Sequence, residues 1–220
     1  MRSIALIDYG SGNLRSAEKA LQKAAEAFDG ACVIHTTDDA DLIRRADAIV
    51  LPGVGAFAAC MGALGGRPGL IEAITETVKG RGAPFLGICV GMQLLASRGL
   101  EFGETQGLDW IAGDVRRLTP NGPGFNVPHM GWNALEAPAG HPLFAGLGEG
   151  APAGEGPLMY FTHSFAFFPT DPKNVIAQVD HGGRFPAAVA SGNVAGVQFH
   201  PEKSQGAGLK LLANFLEWRP

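Results

Sequence analysis

The chain has 220 residues, 46% hydrophobic content and a formal net charge of −4, enough apolar material for a sizeable core and too little positive charge for a nucleic-acid partner. Three cysteines without a C-x-x-C pair and six scattered histidines exclude a disulfide framework and a zinc site, so a reducing, cytoplasmic setting with no metal and no cofactor is expected. Residues 4–7 form only a four-residue apolar run before Asp8, neither a signal-peptide core nor a spanning helix, and no membrane partner is expected.

Residues 4–7 predict a first strand. A turn at Gly10, Ser11 and Gly12 follows, then a helix capped by Asn13 that places Leu14, Ala17, Leu21, Ala24 and Phe28 on one face. The turn is no dinucleotide fingerprint, because the third glycine of G-x-G-x-x-G would fall at Arg15. Residues 31–34 and 48–51 predict further apolar strands. Pro68 opens a helix carrying Leu70, Ile71, Ile74 and Val78, which Gly80 can close. Residues 84–88 read as a short buried strand running into Cys89, followed by a helix with Met92, Leu94 and Leu95 that stops at 97–99.

These strand–helix units predict an α/β fold with a mostly parallel central sheet covered by helices on both faces, flavodoxin-like in outline. Functional loops then lie at the C-terminal ends of the strands. Gly10 to Asn13, Pro52 to Gly55 and Cys89 therefore converge on one edge. From about Asp114 the pattern changes to shorter strands at 114–118, 160–168, 175–179, 187–190 and 194–199, read as additional antiparallel strands. A last helix, capped by Ser204, buries Leu209, Leu212, Phe215 and Leu216. The Gly/Pro/Ala-rich stretch 137–157 reads as a loop and not as a boundary, so residues 1–220 are taken as a single domain.

Two short segments carry the chemistry. Gly87, Cys89 and Gly91 form Gly-x-Cys-x-Gly between a strand and a helix, the nucleophile-elbow arrangement with a thiol in place of the usual hydroxyl. A helix N-terminus and a nearby imidazolium both favour the thiolate. His200 and Glu202, in a His-Pro-Glu run, supply a general base and a carboxylate to orient it, completing what a cysteine hydrolase needs. The loop with Gly53, Val54 and Gly55 can aim backbone N–H groups at the carbonyl under attack. Together with the Val90 amide, next to the nucleophile, that makes an oxyanion hole of Gly53, Val54 and Val90. Cys32 and Cys60 sit among apolar neighbours and read as structural cysteines, as most free cysteines are. The same reading of Cys89 would make both the elbow glycines and the His-Pro-Glu run accidental.

With its elbow, the following Gln93 and its late His-x-Glu, the chain resembles the class I, triad-type glutamine amidotransferases along almost its whole length. The resemblance implies hydrolysis of the glutamine side-chain amide through a cysteinyl thioester, with Cys89, His200 and Glu202 as the catalytic set. Gln93, Ser164 and Phe165 would hold the substrate. Four segments, 8–14, 52–57, 127–133 and 160–165, are similar to the glutaminase subunits of imidazole glycerol phosphate synthases. The His-Met-Gly-Trp-Asn run from His129 to Asn133 is the most specific of these. That similarity implies a (β/α)8-barrel cyclase subunit as partner, ammonia delivered to it for histidine biosynthesis, and a partner interface at Gly10, Gly12, Asn13 and Lys203. Val90 stands where many relatives carry leucine, which leaves the backbone amide in place. Two other readings stay open: a stand-alone cysteine hydrolase such as a γ-glutamyl hydrolase, and a non-catalytic subunit of the same fold, against which the intact triad argues.

Overall fold

A computed structural model describes residues 1–27, 31–136, 140–148 and 156–220. Phe28, and residues 137–139 and 149–155 of the loop expected at 137–157, lie outside the described residues.

The first half alternates strand and helix as the pattern requires. β1 (Arg2–Ile7), α1 (Leu14–Ala25), β2 (Cys32–Thr37), α2 (Ala40–Arg45), β3 (Ala48–Gly53), α3 (Phe57–Gly65), α4 (Leu70–Thr75), β4 (Phe85–Cys89) and the short α5 (Val90–Gln93) follow in order. The second half contributes β5 (Arg98–Gly99), β6 (Thr105–Gln106), β7 (Gly113–Arg117), β8 (His129–Glu136), β9 (Leu158–His163), β10 (Phe165–Pro169), β11 (Val175–Asp180), β12 (Arg184–Ser191) and β13 (Val194–Val197), then α6 (Gln205–Glu217).

A nine-stranded sheet runs in the order β2-β1-β3-β4-β13-β12-β11-β8-β9. The strands from β2 to β13 are parallel, and β12, β11, β8 and β9 extend the same sheet antiparallel. β3, β4 and β13 are buried at every residue, which is why they read as unbroken apolar runs; strands covered on both faces have no polar side to alternate with. The chain steps one way from β1 to β2 and the other way from β2 to β3. Right-handed crossovers then put α1 and α2 on opposite faces, and α1 packs against α6 while α2 packs against α4. A second sheet, β10-β7-β5-β6, holds β10 against β7 in antiparallel register. The Arg2 guanidinium, buried, donates to the carbonyls of Leu216 and Trp218 and ties the first strand to the end of α6.

Several local expectations change. Pro68 does not start α4: the helix begins at Leu70, after Gly69 in the left-handed region (φ 75°), and runs into one π-helical turn at Glu76–Gly80. The Thr77 hydroxyl donates there to Ala73 O at 2.8 Å and to Ile43 O at 3.1 Å, a competition with the ladder that widens a turn. α5 ends at Gln93, earlier than the apolar Leu94 and Leu95 suggest. The strand expected at 160–168 is two strands in two different sheets, parted at Ser164. The strand expected at 194–199 stops at Val197. Asn13 and Ser204 occupy N-cap positions without making a side-chain cap. α2, α3 and β8 carry no expectation from the sequence pattern, although Asp39 is a formal signal for α2: its carboxylate accepts from Asp41 N at 2.8 Å and Leu42 N at 3.2 Å.

Candidate active site

Cys89 ends β4 in a backbone conformation (φ 55°, ψ −112°) that non-glycine residues rarely adopt, a strain of order ~1–3 kcal/mol that persists only where the surroundings impose it. Those surroundings are glycines. A Cβ on Gly91 would collide with the Leu51 carbonyl oxygen, and one on Gly87 with the Gly91 carbonyl. Only bare backbone lets the turn close this tightly against β3. The register pairs Gly53 of β3 with Cys89, so the glycine-rich loop after β3 begins beside the thiol.

His200 arrives from the other side. After β13, Gln198 N donates to Ala187 O at 2.8 Å and His200 N to Tyr160 O at 2.9 Å, so the chain crosses from β12 to β9 and then turns through the 3-10 segment Pro201–Lys203. Ser204 fixes this turn: its hydroxyl donates to His200 O at 2.6 Å and accepts from Tyr160 N at 3.0 Å. His200 Nδ1 donates to Glu202 Oε1 at 2.8 Å, and both side chains are almost fully buried. That bond leaves Nε2 as the free face of the ring. Neither Nε2 nor Glu202 Oε2 has a hydrogen-bond partner. Burial disfavours the imidazolium, but interaction with Cys89 and with Glu202 outweighs it and raises the His200 pKa to about 9. The interaction with Cys89 is looser than a formed hydrogen bond, since Nε2 remains unpartnered.

Cys89 and His200 open on one cavity of about 490 Å³ that is also lined by Val54, Gly55, Val90, Gln93, Glu101, Ser164, Phe165 and Lys203. Gln93, 3% exposed, donates from Nε2 to Phe165 O at 2.9 Å and to Gln198 Oε1 at 3.0 Å. Gln198 Nε2 in turn lies 3.7 Å from Cys89 Sγ. Gly10, Gly12 and Asn13 do not line the cavity; Gly12 lies against Pro52, and Ser11 meets the 52–55 loop, its Oγ donating to Val54 O at 2.8 Å and accepting from Val54 N at 3.4 Å. The Val54 N–H is thus directed at Ser11 and not at the thiol. Cys60 is buried as a structural cysteine would be, with Sγ 3.4 Å from Val54 O and 3.3 Å from Ser11 Oγ. Cys32 is only half-buried.

Gln198 and Glu101 were not expected at the site from the sequence, and Ser11 was expected only as part of the 10–13 loop. Gln198 lies two residues before the His-Pro-Glu run, and that proximity was its signal. Glu101, which accepts from Phe57 N at 2.9 Å, had none.

A family model described as glutamine amidotransferase class-I matches residues 5–218. The imidazole glycerol phosphate synthase subunit HisH of Caulobacter vibrioides is 59% identical over the full length of both chains. That of Ruegeria pomeroyi is 53% identical over 98% of this chain and 99% of its own. Among solved structures, a crystal structure of a glutamine amidotransferase aligns with a TM-score of 0.66 at 20% identity, covering 97% of each chain. The glutaminase domain of Trypanosoma brucei CTPS with bound acivicin aligns at 0.65 and 15% identity, over 100% of this chain and 96% of that one; both support the fold alone. With the elbow, the His–Glu pair and the shared cavity in place, the chain belongs to the class I glutamine amidotransferases and, within them, to the HisH subunits of imidazole glycerol phosphate synthase.

Proposed function

We propose that residues 1–220 form one glutaminase domain that hydrolyses the side-chain amide of glutamine and passes the ammonia to a (β/α)8-barrel cyclase subunit, in the cytoplasm, for imidazole glycerol phosphate synthesis in histidine biosynthesis. The observation that carries this reading is the strained Cys89 turn opening on the same cavity as the unpartnered Nε2 of a buried His200–Glu202 pair. Cys89 Sγ attacks the amide carbon as a thiolate, its proton already held on His200 Nε2, whose ring is charged at neutral pH. The C–N bond breaks as His200 returns that proton to the leaving nitrogen, giving ammonia and a glutamyl thioester. Water, deprotonated by His200, then cleaves the thioester to glutamate and restores the thiol. Glu202 holds the ring in the tautomer that exposes Nε2 and stabilises its charged form. Gln93, Ser164 and Phe165 bind the substrate.

The Val90 N–H and the Val54 N–H are the oxyanion donors. The second is engaged by Ser11 here, which fits an off state: the Gly53–Val54 peptide must turn before Val54 can donate into the cavity, and one missing donor costs about 10²- to 10³-fold in rate. Such a state suits an enzyme whose product is useful only when a partner is ready to consume it. The partner reading is supported by exposed apolar side chains near the mouth, Met130 and Trp132 on β8 and Val54. Trp132 packs edge-on against Tyr160 (5.9 Å), over whose ring the Lys203 ammonium lies at 5.6 Å. Gly10, Gly12, Asn13 and Lys203 form the rest of that rim. The test is to treat the assembled complex with an electrophilic glutamine analogue. Modification at Cys89, with loss of glutamine-dependent but not ammonia-dependent synthesis, is the expected result; modification elsewhere, or none, overturns the mechanism.

A further inference from the structure

β9 and β10 belong to different sheets, and the chain changes sheet at Ser164, so residues 164–165 form a corner of the cavity that neither ladder holds alone. From that corner, beginning at His163, which itself lines the cavity, runs a set of polar groups with no part in the reaction above. His163 Nδ1 lies 2.9 Å from Phe165 O, His129 Nδ1 lies 3.1 Å from His163 Nε2, and Asn133 Nδ2 lies 3.2 Å from His129 Nε2. Both histidines are buried.

The direction of every bond in this set follows from its two ends. A carbonyl oxygen only accepts, so His163 Nδ1 must carry the proton that goes to Phe165 O. In a neutral ring His163 Nε2 is then an acceptor, which requires the proton on His129 Nδ1 and leaves His129 Nε2 to accept. At the far end Asn133 Nδ2 also donates to Asp180 O at 2.8 Å, while Asn133 Oδ1 accepts from Ala134 N at 2.8 Å. The amide is therefore fixed with its NH₂ toward His129. The two ends agree.

We propose that His163 and His129, with Asn133, are positioning residues for the glutamine pocket: a one-way chain of hydrogen bonds whose last donor, His163 Nδ1–H, clamps the Phe165 carbonyl beside Gln93. Phe165 O takes two donors, His163 Nδ1 and Gln93 Nε2, so its orientation is set by both. Gln93 Nε2 is shared with Gln198, whose own amide reaches Cys89 Sγ. The chain thus joins the strand that presents Met130 and Trp132 outward to the side chains that shape the cavity. A proton added to either ring would set N–H against N–H within the chain. Burial pushes the pKa of His129 down to about 3 and that of His163 to about 4, with His181, stacked on His129 at 4.1 Å, and His200 adding to the effect.

This proposal rests on the reading of residues 164–165 as part of the glutamine site. It is tested in the assembled complex with cyclase ligand present, by steady-state kinetics and by ¹⁵N shifts of the histidine rings. In the unmodified protein at neutral pH both rings should be neutral with the proton on Nδ1, the less common tautomer in water. His129→Leu removes the donor to His163 Nε2, and the His163 proton should redistribute toward Nε2. KM for glutamine should rise roughly tenfold with kcat within about threefold, the size expected when one buried hydrogen-bond partner is lost. His129→Gln, which keeps a donor and an acceptor, should restore most of the affinity. Asn133→Ala, at a half-buried position outside the core, should give the same pattern at a few-fold amplitude and serves if His129→Leu does not fold. An Nε2–H tautomer of His163 in the unmodified protein overturns the chain. So does a tautomer change without a change in KM, or a fall in kcat at constant KM. Absence of glutamine hydrolysis in the unmodified complex would instead overturn the proposed function, and the tautomers alone would then decide the chain.

Discussion

The two halves of the nine-stranded sheet build the site by different means. The parallel half keeps its inner strands β3, β4 and β13 buried and apolar and confines chemistry to strand C-terminal ends and the loops beyond them: Cys89 at the end of β4, the glycine loop after β3, Ser11 after β1. The antiparallel half carries polar groups inside its strands, His129 and Asn133 on β8 and His163 on β9, because a strand covered on one side alternates and can face a polar residue toward the site. One half supplies the strained turn of the proposed nucleophile on a rigid frame. The other supplies hydrogen-bonded imidazoles whose protonation depends on burial.

Removing the nucleophile from the parallel half is the most severe way to test this division. Cys89→Ala should lower glutamine hydrolysis by at least about 10⁴-fold while leaving complex formation and ammonia-dependent synthesis intact, measured on the same preparation. Glu202→Gln should cost about 10²- to 10⁴-fold, since an orienting carboxylate ranks below the nucleophile. Comparison of kcat in the lone chain, the complex, and the complex with cyclase ligand should show a rise of about 10²- to 10³-fold at the last step. Equal values would sink the switch, and Gly53→Pro should abolish the rise.

Smaller effects separate the halves by stability. Gly91→Ala drives a methyl into the Leu51 carbonyl and should destabilise the parallel half by about 2–4 kcal/mol in denaturant titration. The antiparallel half should respond to pH. His129 and His163 have folded pKa values below the unfolded value, so between about pH 6.5 and pH 4 the unfolded chain binds more protons and stability falls as pH falls. His200 runs the opposite way: its contribution is complete below about pH 6.5 and is lost as pH rises through about 9. Replacing His129 by Gln should flatten the acid limb, read from midpoints at a series of pH values. Charge reversal at Lys203 should weaken binding of the cyclase with no change in unfolding midpoint.

Much of this was legible in the sequence because the parallel half writes itself in unbroken apolar runs and glycines. Gly87 and Gly91 flank Cys89 for a steric reason that a motif captures, and His200 and Glu202 lie two residues apart. The partners of Gln93 were not legible, since Phe165, on β10, and Gln198, just past the end of β13, lie far away in sequence and meet it only after the sheets assemble. The break at Ser164 was hidden for a similar cause: Phe161 and Phe165 are equally apolar, and only the sheet each joins distinguishes them. β8 begins His-Met-Gly-Trp-Asn, a run too polar to announce a strand, because its inner face is committed to imidazole and amide groups.

The backbone at Cys89 has a consequence for how such a chain can change over time. A residue held at φ 55° is one that glycine would occupy without strain, so Cys89→Gly relieves ~1–3 kcal/mol of backbone strain, more than the ~0.4–1 kcal/mol that glycine's added chain entropy costs, and should unfold at higher denaturant concentration than the native protein. A copy released from the need for glutamine hydrolysis could therefore grow sturdier by losing its thiol in a single substitution.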